Sequence, residues 1–124
     1  MTDEEIFDLC DKIRETAFSL HQYLRNGHLE KVYENGLIHR LRKAGISCEP
    51  QFPLTVYDED GTVLGEYSAD ILVGKSLIIE LKACRNLSDD HVAQILGYLR
   101  ASKIRHGLLI NFGSPKLEIK KFKL

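Results

Sequence analysis

The sequence predicts an α/β fold: a mixed β-sheet flanked by helices, in the order ααβββαββ. Two observations predict it. The first third of the chain repeats its apolar residues at helical spacing, and the remainder breaks into short apolar runs, bounded by turn residues and interrupted by one helical stretch. At 124 residues the chain reads as a single domain, 1–124, large enough to bury a core without disulfides.

From Thr2 to about Leu24, residues Ile6, Leu9, Cys10, Ile13, Ala17, Leu20 and Leu24 share one helical face, and Thr2 with Glu5 forms a capping box. Asn26-Gly27 stops that helix. A second runs from Leu29 to Ala44-Gly45 with Leu29, Val32, Tyr33, Leu37 and Leu41 directed inward. Ser47 to Tyr57 reads as a strand whose prolines, Pro50 and Pro53, suit an edge or an irregular entry. After the turn Asp58-Glu59-Asp60-Gly61, Thr62 to Val73 is the next strand. Gly74-Lys75-Ser76 connects it tightly to Leu77–Ala83, a run apolar enough to be central. Ser88 followed by Asp89 and Asp90 starts a helix, because the hydroxyl caps and the acids complement the helix dipole. That helix directs Val92, Ile95, Leu96 and Leu99 inward and ends by Ser102. His106–Phe112 and the lysine-rich Leu117–Phe122 complete the sheet, the latter at an edge. Hairpins joined to one helical crossover require a mixed sheet with helices packed on it.

Composition narrows the function classes. The 44% hydrophobic and 28% charged fractions are those of a folded globular chain rather than a disordered one, and no apolar run reaches the length of a membrane span. The acidic start, Met-Thr-Asp-Glu-Glu, is unlike a secretory leader. Cys10, Cys48 and Cys84, odd in number and far apart, read as reduced thiols. Together these point to the cytoplasm and away from any membrane partner. A net charge of −1 counts against a protein that coats DNA through its phosphates. It counts less against an enzyme that gathers carboxylates around a metal.

Asp70 and Glu80 lie symmetrically about Lys75. If Val73 pairs with Leu77, then Ile71 pairs with Ile79 and Asp70 faces Glu80, their Cβ atoms about 4.5–5.5 Å apart on one side of the sheet. Lys82 projects from that side too, while Leu77, Ile79 and Leu81 project into a core. Opposed carboxylates in an apolar hairpin repel. A divalent cation bound by hard oxygen ligands, Mg²⁺ or Mn²⁺, resolves the conflict. A metal so held can activate water and stabilise charge on a phosphoryl group, with Lys82 orienting the nucleophile or neutralising the oxyanion. The alternative is a Glu80–Lys82 ion pair on a solvated strand face. His91, Gln94 and Tyr98 share a helical face distinct from the apolar stripe; the alternative for them is a polar flank with Tyr98 half-buried.

Asp70, a short hairpin and then Glu80-Leu81-Lys82 resemble the PD-(D/E)XK nuclease superfamily, and from Ile13 onward the chain is similar, more specifically, to its GxxExxY family. That signature stands here as Gly27-His28-Leu29-Glu30-Lys31-Val32-Tyr33. It is joined by Tyr67-Ser68-Ala69-Asp70, by the helix of Gln94 and Tyr98, and by the tail from Gly107 to Leu117. The resemblance implies a restriction-endonuclease-like core and Mg²⁺- or Mn²⁺-dependent hydrolysis of phosphodiester bonds in DNA or another nucleic acid. It also implies roles: Asp70 and Glu80 as metal ligands, the Leu81 carbonyl as a third, Glu30 completing the acidic cluster, and Lys82 as catalytic lysine. Gln94 and Tyr98 would assist, as the corresponding pair does in RecB-type exonucleases. Residue 69 is Ala where the superfamily name records Pro. Glu30 also reads as a first-turn Glu stabilised by the helix dipole, and His21, where the family tends to carry histidine, as a packing residue. The rival function is a non-catalytic nucleic-acid-binding or assembly module that retains the fold; small size and few basic clusters beyond Lys116–Lys123 speak for it. A homodimer, or a larger complex that supplies the substrate grip, is compatible with either.

Overall fold

The computed structural model describes residues 1–124. The elements follow in the predicted order: α1 (Asp3–Leu24), α2 (Glu30–Lys43), β1 (Cys48–Tyr57), β2 (Val63–Val73), β3 (Leu77–Lys82), α3 (Asp89–Ser102), β4 (His106–Asn111) and β5 (Glu118–Lys123). Their ends differ from the expected ones by about a residue, as frayed termini do. The strands form one sheet in chain order, β1-β2-β3-β4-β5. Neighbours are antiparallel except β3 and β4, which run parallel because α3 carries the chain back between them.

The β2–β3 register, Val73↔Leu77, Leu72↔Ile78 and Ile71↔Ile79, is the one deduced from the turn. Gly74 and Lys75 have φ of 57° and 60°, and the Ser76 N–H donates to the Val73 carbonyl at 3.1 Å. Two successive left-handed residues match the twist of the strands they join.

The two faces of the sheet are covered unequally. On one, Ile6, Ile13, Leu37 and Leu41 of the paired helices α1 and α2 pack with Ile71, Ile79, Leu81, Leu108 and Ile110. On the other, α3 contributes Leu99 to a small cluster with Leu54, Ala69, Leu72 and Ile78. Several expected core residues therefore sit elsewhere. Leu29 and Val32 are exposed: Leu29 is a cap ahead of α2 that makes no side-chain bond, and Val32 lies off the helix face that is buried. Ile38 and Glu34 are buried in that helix beside Tyr33, Leu37 and Leu41. In α3 only Ile95 and Leu99, one turn apart, are fully buried, leaving Val92 and Leu96 half-buried. Cys10, Cys48 and Cys84 are free thiols, and no helix is long and apolar enough to cross a membrane.

A second set of contacts fixes the open end of β3. The Phe112 N–H donates to the Lys82 carbonyl at 2.8 Å. Asn111, fully buried, accepts from the N–H groups of Cys84 (3.1 Å) and Gly113 (2.9 Å) and donates to the Cys84 carbonyl (2.9 Å) and Glu118 Oε1 (2.8 Å). Gly113 lies so close that a Cβ there would sit 2.2 Å from the Cys84 nitrogen. At Gly97, inside α3, an added Cβ would meet nothing within 4 Å. Gly113→Ala should therefore lower the melting temperature and loosen this clamp. Gly97→Ala should stabilise by up to about 1 kcal/mol, the helix-propensity gain. Denaturant titration of both variants measures the contrast; a harmless Gly113→Ala would show that the clamp can yield.

Candidate active site

Beyond Ile71 and Ile79 the antiparallel ladder between β2 and β3 is continued by side chains. The Asp70 N–H donates to Glu80 Oε1 at 3.0 Å, and the Leu81 N–H donates to Asp70 Oδ2 at 2.8 Å. Each carboxylate thus accepts a backbone proton from the opposing strand. The alternation of β2 is interrupted at the same place, since Ala69 packs with Leu72 in the α3-side cluster while Ile71 and Val73 lie in the other. Opposite, Gln51 of β1 is skipped by the pairing that joins Pro50 to Ile71 and Phe52 to Ala69. It adopts a φ of 51°. Such irregularities bend a strand and re-aim its side chains, and they gather beside active sites.

Glu80 is buried at 3% exposure. Burial first, and the Asp70 charge second, push its carboxyl up to about 9 from an ordinary value of 4.5. The expected repulsion between the two acids is present. Lys82 does not relieve it through an ion pair, for none of the protein's salt bridges includes that lysine. Its Nζ instead donates to Gln94 Oε1 at 2.8 Å, and Gln94 Nε2 donates to the Tyr98 hydroxyl at 3.3 Å. Lys82, Gln94 and Tyr98 therefore form one hydrogen-bonded row from β3 onto α3. Desolvation, then the charges of Glu80 and Asp70, raise the Tyr98 phenol above its usual range, so it stays a neutral O–H at physiological pH. His91, expected on this face, is engaged elsewhere: its Nδ1 accepts from the Ser88 N–H at 3.1 Å and closes the α3 capping box.

Glu30 opens α2 and is exposed. Partial desolvation of its carboxyl, followed by the Asp70 charge, raises its pKa, with Lys82 pulling the other way. It is thus within electrostatic reach of Asp70 and Lys82. No group of three or more His, Cys, Asp and Glu side chains is arranged to hold a metal ion, so Glu30 does not close a three-carboxylate cluster with Asp70 and Glu80. The Asp70 and Glu80 carboxylates that do lie together are hard oxygen groups, the type a divalent cation such as Mg²⁺ prefers.

The rest of the Gly27–Tyr33 segment is structural. Gly27 holds a φ of 118°, which a residue with a Cβ rarely adopts. Tyr33 stacks on Phe112 with ring centroids 4.8 Å apart. Its hydroxyl donates to the Arg25 carbonyl and accepts from the His28 N–H, closing the α1–α2 connection that delivers Glu30. His21 Nε2 lies 3.0 Å from the Ser114 carbonyl oxygen and the ring is buried, a packing role. Sequence reading missed two residues beside the site. Gln51 Nε2 donates to Glu34 Oε1 at 2.8 Å, and its Oε1 accepts from Ser68 Oγ at 2.9 Å. The flanking prolines hinted at an irregular strand; nothing local marked Glu34 for burial.

The family model of the PD-(D/E)XK nuclease superfamily matches residues 7–122. Among solved structures, the chain is similar to the crystal structure of SSO0001, with a TM-score of 0.61 and 20% identity over 75% of this chain and 48% of that one. It thus spans about half of that protein's length. The likeness concerns fold, which is restriction-endonuclease-like: a mixed sheet flanked by helices in the order ααβββαββ. No curated protein matches the sequence.

The raised Glu80 carboxyl fixes a pH dependence. Between 4.5 and about 9 the folded protein holds a proton that the unfolded chain has released, so stability falls as pH rises across that window. Metal-free protein should lose up to about 1.4 kcal/mol per pH unit there. Glu80→Gln, which keeps an oxygen for the Asp70 N–H, should flatten the slope and melt higher above neutrality. An unaltered slope in thermal melts of this variant would place the titration elsewhere.

Proposed function

This chain belongs to the PD-(D/E)XK nuclease superfamily, and from that membership we propose that it is a metal-dependent nuclease of the GxxExxY family, hydrolysing phosphodiester bonds of DNA or another nucleic acid. One observation carries the reading: Asp70 and buried Glu80 are held together across two strands although they repel, with the Lys82 ammonium unpaired by any carboxylate beside them. Folding alone has no use for that conflict. Asp70, Glu80 and the Leu81 carbonyl would hold Mg²⁺ or Mn²⁺, with Glu30 able to lend charge from α2. A divalent ion supplies neutralisation of phosphoryl charge and a lowered pKa for water.

The chain's own residues divide the remaining work. An ammonium carries three donors and no acceptor. Lys82 commits one to Gln94, leaving two for a phosphoryl oxygen and an attacking water. Gln94 is a positioning residue, since its amide fixes the lysine on one side and Tyr98 on the other. The Tyr98 hydroxyl, kept neutral, can donate to a phosphate oxygen at the margin of the site.

With Mn²⁺ or Mg²⁺ the purified protein should cleave nucleic acid. Lys82→Ala should reduce the rate by about 10²–10³-fold, the usual cost of one preorganised donor, while calorimetry still detects the metal. Undiminished cleavage in that variant would overturn the assignment. Gln94→Ala should lower turnover by roughly 10- to 100-fold with little change in melting temperature. Leu99→Ala should instead cost about 2–5 kcal/mol of stability. An unfolded Gln94→Ala would reassign that residue to structure.

A further inference from the structure

We propose, resting on the nuclease reading above, that the groove between the β1–β2 hairpin and α3 binds an unpaired polynucleotide strand and leads it to the Asp70–Glu80 pair. The groove has a volume of about 660 Å³ and adjoins the site at Gln94 and Tyr98, which line it and of which Gln94 is bonded to Lys82. Its aromatic wall is made by Tyr57, Tyr67 and Tyr98. Tyr57 of β1 and Tyr67 of β2 are 59% and 55% exposed, large rings left mostly open to solvent. Tyr67 and Tyr98 stand 5.8 Å apart at 37°, tilted rather than stacked, so ring faces remain open to the groove.

The charges on the groove fit phosphate. Arg100 and Lys103 line it, no carboxylate does, and neither cation is held in a salt bridge. This is notable in a chain of net charge −1, for positive charge is unpaired where a strand would enter. Aromatic faces interleaved with free cations form the platform on which unpaired bases stack while the backbone is neutralised. The volume lies in the range of small-ligand sites and suits single extruded nucleotides. Bases paired inside a duplex cannot offer their faces to these rings. At Gly97 the wall carries no side chain and a Cβ would meet nothing within 4 Å, leaving room for a base beside Tyr98.

Fluorescence anisotropy in EDTA, with labelled oligo(dT), oligo(U) and a duplex of matched length, tests this without turnover. Both single strands should bind more tightly than the duplex, their order telling DNA from RNA preference. Tyr67→Ala should weaken single-strand binding about 5- to 100-fold, the range for one lost stacking platform, and Tyr67→Phe should retain it. Gly97→Leu, which fills the groove at a helical position with open space, should also weaken it. Arg100→Ala and Lys103→Ala should each flatten the salt dependence by roughly 0.7 in log–log slope. A duplex bound as tightly as the single strands, or single-strand affinity unmoved by both Tyr67→Ala and Gly97→Leu, would overturn the proposal. Metal-dependent cleavage that still disappears in Lys82→Ala would then leave the nuclease reading standing. Single-strand binding in the groove with no cleavage under any metal would uphold the groove and sink that reading.

Discussion

Where β2 and β3 part beyond Ile71 and Ile79, two carboxylates take over the role of the backbone ladder, and the rest of the site is arranged around that exchange. Asp70 accepts from the Leu81 N–H and Glu80 from the Asp70 N–H. Neither acid can leave without orphaning a backbone donor in a partly buried place, which costs more than a missing contact. The bonds therefore hold the two acids together, and burial first, with the Asp70 charge second, raises the pKa of the Glu80 carboxyl. A proton or a hard cation would relieve the repulsion between them.

The scaffold supports this pair from below. The left-handed turn at Gly74-Lys75 sets the register, and the parallel β3–β4 pairing carries Lys82 to a fixed position opposite Asn111. Buried Asn111 then ties the chain leaving β3 to β4 and β5 through four hydrogen bonds. The lysine thus emerges from a strand end that is closed on one side by the clamp and on the other by Gln94. Tyr33, stacked on Phe112, links the same region to the start of α2, so Glu30 is presented by the same packing.

The unequal cover of the sheet explains why there is a groove at all. Two helices bury one face in a large cluster, whereas α3 touches the other through few fully buried side chains. Its remaining face is left beside the exposed part of the β1–β2 hairpin. The stability of the domain comes mainly from the α1–α2 side, which frees the α3 side to expose tyrosines and unpaired cations that a core could not tolerate.

Element order, the hairpin register and the closeness of Asp70 to Glu80 were legible in the sequence because each rests on local rules. Apolar spacing separates helix from strand, turn residues fix which positions face each other, and side chains two apart share a strand face. The limits of that reading are equally local. Leu29 and Val32 match the helical period yet lie exposed, because Leu29 precedes α2 as its cap and the face that meets the sheet runs through Tyr33, Leu37, Ile38 and Leu41 instead. Glu34 is buried, bonded both to Lys31 one turn before it and to Gln51, the latter a partner from another element. Lys82 turned to Gln94 and not to Glu80, and His91 turned to its own helix cap; each choice depended on where α3 settled on the sheet. The strands, their pairing across the turn and the juxtaposition of Asp70 with Glu80 follow from the local order of the chain. Which of those groups meet was settled in three dimensions, because hydrogen-bond partners and burial are set by the packing of elements distant in the chain.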